Sequence, residues 1–407
     1  MTSIAVAQGA SVFSNPRAAA PEVPYGAQRS MILDGAGFDG AEAAIRAWPG
    51  YAPSPLRTLP ALADALGLAT LYYKDEGGRF GLGSFKALGG AYAVYRLIAR
   101  GIAARQGGAL PPPAEILAGR YRSEVADMTV TCATDGNHGR SVAWGAQLFG
   151  CRCVIYIHAT VSEGRREAIA RYGAEVVRVP GNYDDSVRHA AAEAARHGWT
   201  VVSDTTYEGY RDIPIDVMHG YGVMAREIVR QIPEPPTHVI VQAGVGALAA
   251  SVCAAFWLAW GPARPRFVVV EPVNAACLYQ SGLAGHPVAV HGDLDTVMAG
   301  LACGEVSPVA WEILDAGASA FATVGDEFAL EAMRRFARPL AADHPIVAGE
   351  TGASGLALLL ATQAHEPIRE LLALERDSRV LLIGSEGDTD PVIYRQVVGL
   401  DAAEVRR

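Results

Sequence analysis

From residue 128 to residue 204 the sequence alternates short β-rich runs with helical stretches. "MTVTCA" is followed by "NHGRSVAWGAQLFG", in which Val142, Ala146 and Leu148 recur at helical spacing. "CRCVIYIHA" is a buried-strand run, "SEGRREAIARYG" a helix closed by glycine, and "AEVVRVP" a strand. "YDDSVRHAAAEAARHG" is again a helix and "TVVSD" a strand. Strand and helix alternating through short turns mean a parallel sheet covered by helices on both faces. The pattern resumes after residue 219. "GYGVMAREIVRQI" is helical, "THVIVQAG" a strand, "GALAASVCAAFWLAW" a helix and "RFVVVEP" a strand; "ASGLALLLATQ" and "RVLLIGSE" close the series as helix and strand. Residues 273–325 read as irregular and glycine-rich, and "GGALPPPAEIL" (107–117) as a surface excursion.

The expected fold is α/β in two domains, each an open, mostly parallel sheet with helices on both faces. A length of 407 residues fits two or three domains. Residues 1–25 are expected to form a loosely ordered arm. Residues 26–92 and 219–407 form a larger domain, and residues 93–218 a smaller α/β domain. A net charge of −9 argues against nucleic acid as a partner. No apolar run approaches the roughly 20 residues of a membrane span, so no membrane is expected. The first 25 residues lack the basic start and apolar block of a signal peptide, which reads as a soluble cytoplasmic protein. Six cysteines form no CxxC pair, and ten histidines no HExxH, so no metal site is expected. Free, buried thiols are expected. Cys277 and Cys303, in the irregular stretch, are placed nearer a surface, with a bridge between them as the alternative.

In open parallel sheets ligands sit beyond the carboxyl ends of strands, so strand-end loops are where chemistry is sought. One residue type stands out first. Of 34 lysines and arginines only two are lysines, Lys74 and Lys86. Arginine stays protonated; lysine can become a nucleophilic amine once its charge is suppressed. In "GLGSFKALGGAYA" (81–93) Ser84 reads as an N-cap and Lys86 falls in the first helical turn. The positive end of the helix is expected to lower its pKa, and such an amine can form a Schiff base with an aldehyde.

Three further loops carry polar groups at strand ends. "TCATDGNHG" (131–139) offers backbone N–H groups to an anion and the Asn137 amide to a hydroxyl or carbonyl. Asp135 there either caps the helix or handles a proton or a substrate amine. "QAGVGALAA" (242–250) is a phosphate cradle by mechanism and also fits GxGxxA, with Glu271 at the next strand end. That second match supports a nicotinamide-dependent oxidoreductase as a rival. In "IGSEGDTD" (383–390) Ser385 can hydrogen-bond a ring nitrogen. Glu386, Asp388 and Asp390 read as turn residues or a cation site, the turn being favoured for the last two.

Lys86, Asn137, the glycine loop and Ser385 together resemble the pyridoxal-phosphate enzymes of the tryptophan-synthase β-subunit fold type (fold type II). Longer stretches resemble the diaminopropionate ammonia-lyase family within that group: "KDEGGRFGLGSFKALGGAYA" (74–93), "ATDGNHGRSVAWGAQ" (133–147), "NYDDSVRHA" (182–190), "QAGVGALA" (242–249), "MAGLACGE" (298–305) and "EGDTDPVIYRQVV" (386–398). The resemblance implies pyridoxal 5'-phosphate as cofactor and elimination of 2,3-diaminopropionate to pyruvate and two ammonia molecules. It implies Lys86, Asp135 and Asp204 as catalytic residues. Phe85, Lys86, Asn137, Gly244, Val245, Gly246, Ala247, Leu248 and Ser385 are implied to hold the cofactor. Thr134, Asp135, Gly136, His138 and Tyr183 are implied to contact a small amino-acid substrate. A homodimer is usual for the resemblance. Another β-eliminating or β-replacing enzyme of the same fold, and a noncatalytic small-molecule sensor, are the remaining alternatives.

Overall fold

Strands buried on both faces need apolar residues at nearly every position, and "HVIVQ", "RFVVVEP" and "RVLLIG" supply them. The computed structural model describes residues 4–7, 9–134 and 136–407. Their strands are β1 (Ile4–Ala7), β2 (Ala10–Ser14), β3 (Leu56–Thr58), β4 (Thr70–Asp75), β5 (Thr129–Ala133), β6 (Arg152–Ile157), β7 (Glu175–Arg178), β8 (Thr200–Val201), β9 (His238–Gln242), β10 (Arg266–Pro272), β11 (Ala320–Val324) and β12 (Arg379–Gly384). The chain divides into two compact units. One comprises Met1–Gly35, Pro53–Gly78 and Met224–Arg407; the other comprises Ala36–Ala52 and Arg79–Val223.

The first unit holds an eight-stranded sheet of order β1-β2-β11-β10-β9-β12-β4-β3. Its five central strands are parallel, and both edges are antiparallel. Residues 10–14, expected within a loose arm, are instead a paired strand. Val12 and Phe13 are fully buried, Phe13 lying opposite Phe321. The Asn15 amide then donates to the carbonyls of Asp315 (2.7 Å) and Ala318 (2.8 Å), and Tyr25 packs edge-on to Trp257. Two apolar side chains among small residues suffice for a strand once β11 offers an open edge. Residues 273–325 are likewise more ordered than their composition suggests. They contain the helices Cys277–Ala284 and Pro308–Gly317 and the strand β11.

The second unit holds an all-parallel sheet of order β7-β6-β5-β8. Its dominant packing joins the helix Lys86–Gln106 to the helix Asn137–Phe149. Small residues let the two backbones approach. A Cβ on Gly145 would lie 2.7 Å from the Ala91 Cα, and one on Gly90 would strike the Ser141 side chain. Residues 36–52, 79–92 and 219–223, expected in the larger domain, belong to the second unit.

Lys74, on β4, is fully buried. Its ammonium donates to the Ser54 carbonyl (2.9 Å), the Glu227 carboxylate (2.7 Å) and the Gln231 side-chain oxygen (2.8 Å). Three donors thus meet three acceptors around one compact charge, a geometry a planar guanidinium cannot reproduce. Lys74 is structural. Replacing it by methionine removes a buried positive charge from contact with the Glu227 carboxylate, and Lys74→Met is expected to lose about 3–5 kcal/mol of unfolding free energy. Denaturant unfolding of the two proteins measures the difference; equal midpoints would show the ion pair to be dispensable.

Candidate active site

The order of the smaller sheet fixes where its polar loops converge. The chain runs outward from β5 through β6 to β7, then returns to the other side of β5 as β8. The carboxyl ends of β5 and β8 therefore flank the point where strand order reverses, the usual place for a ligand in an open parallel sheet. After β5 come Thr134, Gly136 and Asn137; after β8 come Val202, Ser203 and Asp204.

Asp204 forms an ion pair with Lys86, both side chains partly buried. His138, in the first turn of the Asn137–Phe149 helix, places Nε2 2.8 Å from the Val202 carbonyl and Nδ1 3.8 Å from Asp204. A carbonyl only accepts, so Nε2 carries the hydrogen. Burial, opposed by Asp204 and assisted by Lys86, lowers the His138 pKa and keeps the ring neutral. The Lys86 nitrogen lies 5.4 Å from the Phe85 ring centroid and 5.6 Å from that of Tyr221; the two rings are 4.6 Å apart. The Ser141 hydroxyl donates to the Lys86 carbonyl (2.6 Å), tying the lysine backbone to the neighbouring helix.

The helix start was expected to lower the Lys86 pKa. In the structure it is raised: burial disfavours the ammonium, but the Asp204 carboxylate, seconded by Tyr221, more than offsets this. The magnitudes explain the reversal. A helix terminus contributes about 0.3–1 kcal/mol, whereas an opposite charge at contact moves a pKa by roughly 1–3 units. Asp204 moves the other way. Burial raises its pKa, and the Lys86 ammonium overcomes that by charge and hydrogen bond and holds it well below the ordinary carboxylate range. Ser84 was expected to cap this helix. Phe85 takes the N-cap position instead, and the buried Ser84 hydroxyl has no hydrogen-bond partner among the described residues.

Thr134 builds the turn that presents Asn137. Its hydroxyl accepts the Gly136 N–H (3.1 Å) and the Gly139 N–H (3.0 Å). Gly136 is the N-cap and Asn137 the first residue of the helix. Tyr183 opens the helix Tyr183–His197, about half exposed. Asp135 lies outside the described residues.

In the larger unit, a glycine loop follows β9. The helix Ala247–Trp260 that follows is apolar but for Ser251, with no side-chain cap and no acidic residue in its first turn. Its start is buried with Ala247 and Leu248. Such an end presents N–H groups to an anion. Gly246 has φ +99°, which favours glycine, and a Cβ on Gly244 would crowd the Cys303 sulfur at 2.9 Å. Val245 holds the loop through its carbonyl, which accepts the Ser307 N–H (2.9 Å).

Glu271 does not serve the dinucleotide reading. It is fully buried and accepts the N–H groups of Leu278 (2.9 Å) and Tyr279 (2.7 Å), capping the helix Cys277–Ala284. Burial pushes its pKa up to about 8 despite these bonds. Cys277, expected near a surface, is buried in the first turn of that helix, and no disulfide joins it to Cys303. Ser385 follows β12, is buried, and accepts a hydrogen bond from Gln242 (2.6 Å). Asp390 caps the helix Pro391–Val398, and Asp388 pairs with Arg406, in keeping with the turn reading. Tyr221 escaped the sequence reading because nothing in "GYGVMAREIVRQI" distinguishes it from a core tyrosine.

A family model described as "Pyridoxal-phosphate dependent enzyme" matches residues 47–385. The diaminopropionate ammonia-lyase of Escherichia coli K12 is 43% identical over 357 residues, covering 86% of this chain and 88% of that protein. That of Salmonella typhimurium LT2 is 40% identical over 364 residues, with 86% and 89% covered. The crystal structure of the Escherichia coli enzyme in complex with an aminoacrylate-PLP azomethine reaction intermediate superposes with a TM-score of 0.83 at 38% identity, covering 98% and 97% of the two chains. A threonine deaminase of Solanum lycopersicum shares the fold at 21% identity, with a TM-score of 0.71 over 98% of this chain and all of that one. The chain belongs to the pyridoxal-phosphate dependent enzymes and, within them, to the diaminopropionate ammonia-lyase family.

Removing the Asp204 charge should free the Lys86 amine. In cofactor-free Asp204→Asn, labelling of Lys86 by an amine-directed reagent at mildly alkaline pH is expected to run about tenfold faster for each pKa unit recovered. Peptide mapping after timed labelling gives the rate. An unchanged rate would mean that Asp204 does not control the amine.

Proposed function

We propose that the protein converts 2,3-diaminopropionate to pyruvate and two ammonia molecules, using pyridoxal 5'-phosphate. The observation that carries this reading is the Lys86–Asp204 pair. Of the chain's two lysines, Lys74 is fully committed to a buried network, which leaves Lys86 as the side-chain amine for an aldehyde. Family membership and the relatives' names support the substrate.

The residues present fit the cofactor. Lys86 would bind its aldehyde carbon, beside Phe85, and Asn137 its ring hydroxyl. The uncapped start of Ala247–Trp260, with Gly244, Val245, Gly246, Ala247 and Leu248, would take the phosphate. Ser385 would face the ring nitrogen. The orphaned Ser84 hydroxyl gives a second polar group with a bond to make beside the lysine. When bound, the cofactor supplies an aldehyde that captures amines and a ring that withdraws electrons from Cα.

The chain's own groups then divide the work. Lys86 takes the α-proton of the L-isomer. Asp135, from the sequence reading, takes that of the D-isomer on the opposite face. Asp204 binds an alkylammonium in the structure, and the β-ammonium of the substrate is the same chemical group. Asp204 therefore receives the β-amine when Lys86 is engaged elsewhere, which a hydroxyl-bearing substrate would not require. Thr134, Gly136 and His138 shape the turn that meets the substrate carboxylate, and Tyr183 borders it. The relative's structure in complex with D-serine supports binding of a D-amino acid by this architecture. The same reading makes the protein a homodimer, on the strength of the family resemblance, and places it in the cytoplasm, on the character of its first 25 residues. No helix among the described residues is long and apolar enough to cross a membrane.

Purified protein supplied with cofactor should release pyruvate and ammonia in a ratio of about 1:2 from diaminopropionate. Borohydride reduction and peptide mapping should place the cofactor on Lys86, and Lys86→Arg should lose turnover by several orders of magnitude. Label on Lys74 would overturn the lysine assignment. Faster turnover of serine or threonine than of diaminopropionate would make the protein a different β-eliminase of the same fold.

Asp135 separates the two isomers. Asp135→Asn should reduce activity on D-diaminopropionate far more than on the L-isomer, with the cofactor absorption unchanged. Equal losses in a two-isomer kinetic assay would assign Asp135 a role common to both.

A further inference from the structure

We propose that Gln242 is a positioning residue that fixes the direction of the Ser385 hydroxyl hydrogen and thereby keeps the pyridine nitrogen of the cofactor unprotonated. The inference rests on the reading of the protein as a pyridoxal-phosphate lyase with Ser385 at the ring nitrogen.

Gln242 ends β9 and Ser385 follows β12, its parallel neighbour in the sheet. Both side chains are buried, each at 1% exposure. The two strands lie where the order of the larger sheet reverses, since the chain runs from β9 outward to β10 and β11, while β12 and β4 lie on the other side. The Gln242 Nε2 is 2.8 Å from the Ile383 carbonyl oxygen and 2.6 Å from the Ser385 Oγ.

These two distances settle which way the amide faces. Turned over, Oε1 would confront the Ile383 carbonyl at hydrogen-bond distance, acceptor against acceptor. Nε2 therefore spends one hydrogen on Ile383 and the other on Ser385. Oε1 is left buried without a hydrogen-bond partner among the described residues. A buried orphan oxygen is destabilising, so this position retains an amide at a cost in stability, for the sake of its two N–H groups.

The consequence falls on Ser385. Its oxygen already accepts from Gln242, so its hydrogen points elsewhere, and no second partner for that hydroxyl occurs among the described residues. A hydroxyl that must donate can face a nitrogen lone pair. Accepting a pyridinium N–H on its remaining lone pair would leave the hydroxyl hydrogen buried without an acceptor, so the neutral nitrogen is favoured. Gln242 thus selects the neutral ring at one remove. A neutral ring is the weaker electron sink, which favours expulsion of the β-amine over transamination.

Glutamate at 242 tests this without changing shape. An acid there carries at most one hydrogen. Given to Ile383, it leaves a lone pair facing Ser385; ionised, it offers only lone pairs. In both cases Ser385 turns its hydrogen toward residue 242 and presents an acceptor to the ring. The ¹⁵N resonance of holoenzyme loaded with ring-¹⁵N pyridoxal phosphate reads the result. Wild type should show an unprotonated pyridine at neutral pH. Gln242→Glu should move upfield toward pyridinium and accumulate pyridoxamine phosphate at least tenfold faster per turnover. Gln242→Leu, which frees the serine to rotate, should show a pH-dependent shift absent from wild type, and it carries the test if the glutamate variant fails to fold. A pyridinium resonance in wild type, or wild-type resonances in both variants, would overturn the proposal. If wild type binds no cofactor, or binds it without eliminating the β-amine, the underlying functional reading fails with it; normal turnover with unmoved resonances refutes Gln242 alone.

Discussion

A positive charge removed from water needs a negative one at contact, and the Lys86–Asp204 pair meets that need with three separate pieces of backbone. Lys86 opens one helix, Asp204 lies in the loop after β8, and His138 lies in the first turn of the helix Asn137–Phe149. The pair's energetics have opposite pH signs at its two ends. Asp204, with its pKa depressed, contributes stability that is present above its ordinary value of 3.8 and is lost as acidification passes its folded value. Lys86, with its pKa raised, contributes stability that is present below its ordinary value of 10.5 and is lost only as the pH climbs through its folded value. Neutral solution lies well inside both limits, so the cofactor-free protein holds its future nucleophile charged and in place.

This arrangement makes the lysine a guarded amine rather than a permanently activated one. The helix terminus favours deprotonation weakly, and Asp204 opposes it strongly. Reactivity therefore depends on what takes the carboxylate's attention. A substrate bearing a second ammonium competes for Asp204 directly, which couples arrival of the substrate to release of the lysine from its counter-charge. A substrate bearing a hydroxyl in that position has no such effect.

Much of this architecture was legible in the residues. The parallel sheets followed from strand–helix alternation, and the glycine loop and Lys86 from their places at element ends. Asp204 stood at a strand end but needed the family resemblance to acquire a role. What could not be read depended on partners far along the chain. β2 is a strand because β11 offers it an edge some 300 residues later, and "ASVFS" alone does not say so. Glu271 looked available to a ribose until its oxygens were found on Leu278 and Tyr279. The Lys86 shift has the opposite sign to the one its helix start implies for the same reason: the helix end is local in sequence, and the stronger Asp204 charge is 118 residues away.

The arginine-only surface has its own chemical meaning. Pyridoxal phosphate in solution condenses with exposed lysine side chains of ordinary proteins, and each such adduct is a dead end. Guanidinium groups, protonated at any physiological pH, do not compete for it in this way. Here Lys74 is sealed inside the larger unit, fully buried and hydrogen-bonded on all sides. Among side-chain amines, a free aldehyde meets one address on this molecule. Selectivity for the productive adduct is thus written into what the rest of the surface omits as much as into the pocket that welcomes it.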